Sequence, residues 1–167
     1  KKTVAKSHAP APFTTSSLQQ DASNKLGLTA PETMSLAQHL YEGIATENGD
    51  HVAFITYMRT DSVRVSKEAQ DKALACIRDT YGAEYVPETP NYYATKKGAQ
   101  DAHEAIRPID LAMTPARAKG LLDKKHFALY KLIYERFLAS QMAEAKYNSM
   151  QMEIDNGGYV FKASGKV

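Results

Sequence analysis

Apolar residues recur along this chain with two different periods, and each period predicts a type of element. Ala37, Leu40, Tyr41 and Ile44, with Met34 just before them, fall at three- and four-residue steps. Thr29 and Glu32 precede them as a capping box, with Pro31 in the first turn, so an amphipathic helix is expected here. Ala69, Ala73, Ile77 and Tyr81 step by four between the cap Ser66 and Gly82. Asp123 opens a longer stripe of Phe127, Tyr130, Ile133, Tyr134 and Phe137, whose helical spacing favours core packing over a base-stacking platform. Thr14 to Ser17 offer several N-caps, and Ser16 with Gln19 fits a capping box. That helix should run to about Leu26 and stop at Gly27. Thr114 and Pro115 start another.

The two-residue period appears at the ends. Met150, Met152 and Ile154 alternate with polar residues, Asn156-Gly157 is a tight-turn signal, and Tyr159, Phe161 and Ala163 alternate after it. A β-hairpin with one apolar face is predicted. Thr3 to Ser7 reads as a short strand, followed by the stiff segment His8-Ala9-Pro10-Ala11-Pro12. After the turn signal Asn48-Gly49-Asp50, Val52 to Met58 reads as a buried strand that reaches the surface at Thr60, Asp61 and Ser62. Pro87 to Tyr93 reads as a loop, and Lys96 and Lys97 form a small basic patch. Repeats and low-complexity segments are absent. The fold expected is mainly α (α+β), compatible with a winged-helix arrangement, with flanking strands and a C-terminal hairpin.

Composition adds limits. A chain of 167 residues can bury one good core, and 43% hydrophobic with 24% charged residues is ordinary for a globular protein. The net charge of +2 is too small to argue for nucleic acid by itself. Cys76 stands alone, which excludes an internal disulfide and favours a reducing compartment. No apolar run approaches the roughly 20 residues of a membrane span. The start, Lys1-Lys2-Thr3-Val4, has the look of a piece of a longer protein.

Candidate chemistry gathers in two strings. In the first, Tyr57 and Arg59 lie two residues apart, so an extended backbone points both to one side. A phenol beside a guanidinium is a candidate nucleophile with a phosphate clamp, because arginine stabilises the phenolate and binds phosphate oxygens as a fork. From those two residues alone a buried structural tyrosine is the commoner arrangement. The second string is His103-Glu104-Ala105-Ile106-Arg107-Pro108. A zinc protease would need histidine where Arg107 stands, so zinc chemistry is disfavoured.

Taken whole, Ile55-Thr56-Tyr57-Met58-Arg59-Thr60-Asp61-Ser62 resembles the active-site segment of bacterial type IA DNA topoisomerases. The His103 string and the stretch Ala11-Pro12-Phe13-Thr14-Thr15-Ser16-Ser17-Leu18-Gln19-Gln20 resemble the same family. The resemblance implies that Tyr57 becomes linked to a 5′ phosphate while one DNA strand is cut, with Arg59 as clamp and His103 contacting the DNA backbone. Gln38 and Arg107 are implied DNA contacts, with Thr60 and Asp61 in support. Arg107 and Asp61 could equally only brace the loop.

The family's domain plan implies three segments: 1–11 as a strand of a β-rich hinge domain, 12–146 as the helical tyrosine domain, and 147–167 as a hairpin returning to the hinge. No metal site or cofactor is expected within these residues. Mg2+ and a catalytic glutamate belong, by resemblance, to a separate Toprim domain, without which this segment should not relax DNA. The partners implied are DNA, mainly single-stranded, and the remaining domains of the parent, with no membrane. The location implied is the bacterial cytoplasm, at the nucleoid. Two other classes fit the bare residues: a DNA-binding module whose tyrosine is structural, and a helical protein-interaction domain.

Overall fold

The computed structural model describes residues 2–45, 49–94 and 103–166. Its helical body is built from α1 (Thr15–Leu26), α2 (Ala30–Glu42), α3 (Lys67–Tyr81), the single turn α4 (Pro115–Ala118) and α5 (Lys124–Gln141). A three-stranded antiparallel sheet of β1 (Lys2–Ser7), β4 (Ala145–Asn156) and β5 (Tyr159–Lys166) stands beside it, in the order β1-β4-β5. A two-residue pair, β2 (Ile44–Ala45) with β3 (His51–Val52), joins α2 to the Tyr57 segment. The expected mainly α, α+β architecture is thus present.

Helix α5 is the central element. Leu129, Tyr130, Ile133, Tyr134, Phe137 and Leu138 are buried on it, against Leu18 and Ala22 of α1, Leu36, Ala37 and Leu40 of α2, and Ala73 and Ile77 of α3. Each such Leu, Ile or Phe withdrawn from water contributes about 1.5–3 kcal/mol, so the core face of α5 fixes the body. Its two buried tyrosines also hold the incoming chain. The hydroxyl of Tyr130 donates to the Met113 carbonyl at 2.6 Å and that of Tyr134 to the Leu111 carbonyl at 2.9 Å. Arg136 reaches the Ala11 carbonyl at 2.7 Å and Asp21 at 3.2 Å, with its guanidinium 4.6 Å from the Phe13 ring centre.

The helix boundaries fall where the capping residues predict, with differences of detail. For α1 the capping box is Thr14 with Ser17, rather than Ser16 with Gln19, and Gly27 closes the helix in the left-handed region at φ 68°. The Thr29 side chain caps α2 through the Glu32 amide. The Glu32 carboxylate is paired with Lys125 of α5, so the box is completed on one side only. Tyr41 and Ile44 leave the predicted core stripe: Tyr41 is exposed at the end of α2, and Ile44 lies in β2.

Two strand expectations are corrected. Regular strand structure before Tyr57 is confined to His51–Val52, and Ile55 makes a single bridge to Pro108. The segment 54–62, bent at Thr56 and Met58, is instead held by scattered backbone partners: Phe54 donates to the Leu40 carbonyl, and the Thr56 amide donates to the Arg107 carbonyl at 2.9 Å. It also stays inside the fold past Met58. Met58, Thr60 and Ser62 are buried while Arg59 and Asp61 are exposed, so alternate residues face the core and the solvent.

The hairpin forms in the predicted register, with Ile154 opposite Phe161 and Asn156 opposite Tyr159. Gly157 and Gly158 take positive φ in its turn. Its apolar side faces outward: Met152 is 47%, Ile154 51% and Phe161 61% exposed. Lys96, Lys97 and the turn at Asn48 lie outside the described residues.

Candidate DNA-cleavage site

Three pieces of chain meet at Tyr57. The first turn of α1 forms one wall, the segment 57–61 the floor, and the segment at His103 the other wall. The open cleft between them encloses about 530 Å³ and is lined by Ser16, Gln19, Tyr57, Arg59, Asp61 and His103, with Thr15 and Thr60 beneath. The Tyr57 ring is half-buried, with its centre 5.3 Å from that of Tyr41, edge-on at 68°, and 5.3 Å from that of His103, tilted by 43°. One side of the phenol is therefore packed and the other belongs to the cleft.

The site is fastened from below. The Thr56 hydroxyl donates to the Ala105 carbonyl at 2.8 Å and accepts the Arg107 amide at 3.0 Å. The residue before the nucleophile candidate is thus bonded to the segment that carries His103. Glu104 accepts the Ser66 amide at 2.7 Å and the Arg107 Nε and Nη2 donors at 3.1 and 2.6 Å. Burial raises the Glu104 carboxyl, but Arg107 and Ser66 together outweigh it and hold its pKa below the usual value. Arg107 also donates Nη1 to the Pro108 carbonyl.

The residues singled out from sequence divide into two groups. Tyr57, Arg59, Thr60, Asp61 and His103 share the cleft. The described residues give Arg59 no hydrogen-bond or ion-pair partner, whereas Thr60 is buried and its hydroxyl accepts the Ser62 amide. Arg107 lines a different cavity, with Thr56, Lys72 and Asp110, and its guanidinium is engaged by Glu104. Gln38 lies on α2, bonded to Glu42. Sequence reasoning did not assign Thr15, Ser16, Gln19 or Tyr41 to the site. The signal for Thr15 and Ser16 was the run Thr14 to Ser17, which holds more hydroxyls than one helix cap can use.

Charge in the cleft suits an anion. Arg59 and His103 supply the donors, and among the described residues Asp61 is the one carboxylate in the lining. Among the described residues no group of three His, Cys, Asp or Glu side chains is placed to hold a metal ion. Among them, too, no helix is long and apolar enough to cross a membrane.

Comparison with known proteins identifies the family of the chain. A family model described as DNA topoisomerase matches residues 1–167. DNA topoisomerase 1 of Fervidobacterium islandicum is 53% identical over 161 residues, which cover 93% of this chain and 23% of that protein. DNA topoisomerase 1 of Campylobacter jejuni is 50% identical over 158 residues, covering 94% and 22%. The structure of full-length topoisomerase I from Thermotoga maritima superposes with a TM-score of 0.86 at 44% identity, over 99% of this chain and 26% of that one. The chain spans about a quarter of the relatives it matches. A whole-length family match, close relatives and a shared fold lead to one conclusion: this chain belongs to the type IA DNA topoisomerase family.

Proposed function

We propose that this chain carries the nucleophile of a DNA topoisomerase that cuts and reseals one DNA strand through Tyr57. The observation that carries the reading is the cleft itself, which a half-buried tyrosine shares with Arg59 and with His103, whose ring lies against it. The Tyr57 oxygen attacks a backbone phosphorus, its proton leaves, and a P–O bond forms. The P–O3′ bond breaks, and the departing 3′ oxygen takes up a proton. A 5′-phosphotyrosine and a free 3′-hydroxyl result, and the reverse reaction reseals the strand without ATP because the ester retains the bond energy.

A tyrosine of ordinary pKa, about 10, is a weak nucleophile at neutral pH, so positive charge must stabilise both its phenolate and the five-coordinate phosphorus. Arg59 is the clamp for the phosphate oxygens, and His103 donates to or orients the same group. Asp61 and Thr60 support the segment, and Gln38 and Arg107 serve DNA bound beyond the cleft. Mg2+ takes oxygen-rich sites, and among the described residues one carboxylate in the cleft does not make one, which supports a metal held by another domain of the enzyme.

The substrate is single-stranded DNA in a negatively supercoiled molecule, and the location is the bacterial cytoplasm at the nucleoid. Residues 1–11 and 147–167 belong to a β-rich hinge domain, a reading supported by the pairing of β1 with β4 outside the helical body. The exposed apolar side of β4 and β5 favours further protein packed there.

The test is Tyr57→Phe in the full-length enzyme, which keeps the packed ring and removes the oxygen. The covalent adduct with a single-stranded oligonucleotide should vanish while DNA affinity and the unfolding midpoint stay nearly unchanged. An adduct that persists, mapped to another residue, refutes the assignment.

A further inference from the structure

Thr15, the first residue of α1, makes a set of bonds that capping does not require. Its hydroxyl donates to the Met58 carbonyl at 2.7 Å and accepts the Thr60 amide at 2.9 Å, and it lies 3.2 Å from the Thr60 carbonyl. Its own amide donates to that Thr60 carbonyl at 2.9 Å. Capping of α1 is already accomplished by Thr14 and Ser17. A free amide in the first turn of a helix normally finds water or a cap; here it is directed across 45 residues of sequence to the segment after Tyr57.

Arg59 lies between the two residues that are held. Met58 is anchored by its buried side chain as well as by its carbonyl, and Thr60 by its amide, its carbonyl and its burial. The tripeptide is thus an arch fixed at both feet, with the Arg59 side chain projecting from its crown into the cleft. A long, solvated arginine has many rotamers, and a fixed Cα narrows the volume its guanidinium can sample. Threonine suits this task better than serine, because its branched Cβ limits χ1 and holds the hydroxyl between its two partners.

We propose that Thr15 is a positioning residue for strand cleavage, acting through the backbone of Met58 and Thr60 to place Arg59 against the scissile phosphate. This rests on the function proposed above, in which Arg59 clamps the phosphate attacked by Tyr57. It assigns to α1 a role in the chemical step. DNA affinity, spread over many phosphate contacts, depends little on the arch, whereas the transition state depends on the position of one guanidinium.

The experiment uses the full-length enzyme and a 3′-end-labelled single-stranded oligonucleotide, so that the labelled fragment remains on the protein after cleavage. Single-turnover adduct formation at saturating DNA, oligonucleotide Kd and the thermal unfolding midpoint are measured for Thr15→Val, Thr15→Ala and Thr15→Ser. Valine is nearly isosteric and lacks the hydroxyl. Alanine at the first position of a helix is well tolerated, which keeps the test open if valine does not fold.

Misplacement of a catalytic group by under an ångström should slow cleavage by about ten- to a hundredfold in the valine and alanine variants, with Kd within about twofold. Thr15→Ser should recover most of the rate. A lowered midpoint with cleavage within about twofold of the parent, measured well below that midpoint, overturns the proposal and leaves Thr15 a purely structural residue. Equal losses in rate and affinity overturn it too. Tyr57→Phe is run in parallel. If it forms no adduct while the Thr15 variants cleave normally, only the positioning role fails; if it still forms one, the function proposed for Tyr57 has failed.

Discussion

The Glu104–Arg107 pair offers the sharpest test of what fastens the cleft. The two side chains are 21% and 15% exposed, and Glu104 accepts three donors, two from Arg107 and one from the Ser66 amide at the start of α3. Glu104→Gln preserves shape but removes the charge, so Arg107 keeps a half-buried guanidinium without its counter-ion. A hydrogen bond to a charged group contributes about 1.5–3 kcal/mol, and removing one partner of a fully buried pair costs about 3–5 kcal/mol. Partial contact with water lowers that figure, so the expected loss is about 2–3 kcal/mol.

Urea unfolding measures this loss as a lower midpoint with an unchanged slope. A double-mutant cycle with Arg107→Met should give a coupling above about 1 kcal/mol, and a value below about 0.5 kcal/mol would refute the brace. The pH dependence has a fixed sign. Because the folded pKa of Glu104 is depressed, its contribution is complete above the unfolded value of about 4.3 and is lost as pH falls through the folded pKa. Unfolding followed from pH 7 downward should therefore show an acid loss that Glu104→Gln lacks.

Further perturbations separate charge, geometry and backbone. Arg59→Lys keeps the charge and loses the planar fork, so single-turnover cleavage should fall about tenfold, or about 1.4 kcal/mol, with a smaller change in DNA affinity; an unchanged rate would count against a clamp. Tyr130→Phe leaves the Met113 carbonyl without its donor and should cost about 1 kcal/mol in chemical unfolding, with DNA binding unaffected. Gly27→Ala meets no atom within 4 Å, so its expected cost of about 1 kcal/mol is purely that of a side chain at positive φ; a neutral result would show that the α1 terminus relaxes.

Local order was legible from the sequence, because caps and periods act over a few residues. Thr29, Ser66 and Asp123 start helices, Gly27 and Gly82 end them, and Asn156-Gly157 turns the hairpin, since each depends on bonds to near neighbours. The string around Tyr57 and the His103 string pointed to one cleft through their resemblance to a family, and Tyr57 and His103 do share it. What only the tertiary structure decided involves distant partners. Nothing local distinguishes Thr15 from Thr14, yet one caps α1 and the other grips the arch at Arg59. Arg107 and His103 lie four residues apart and enter different clefts, because Glu104 turns the arginine away. The segment after β3 looked like a strand from its β-branched and aromatic content, but its backbone partners came from α1, α2 and the Arg107 segment rather than from a sheet. Side-chain type sets what a residue can bond, and the packing of remote segments sets what it does bond.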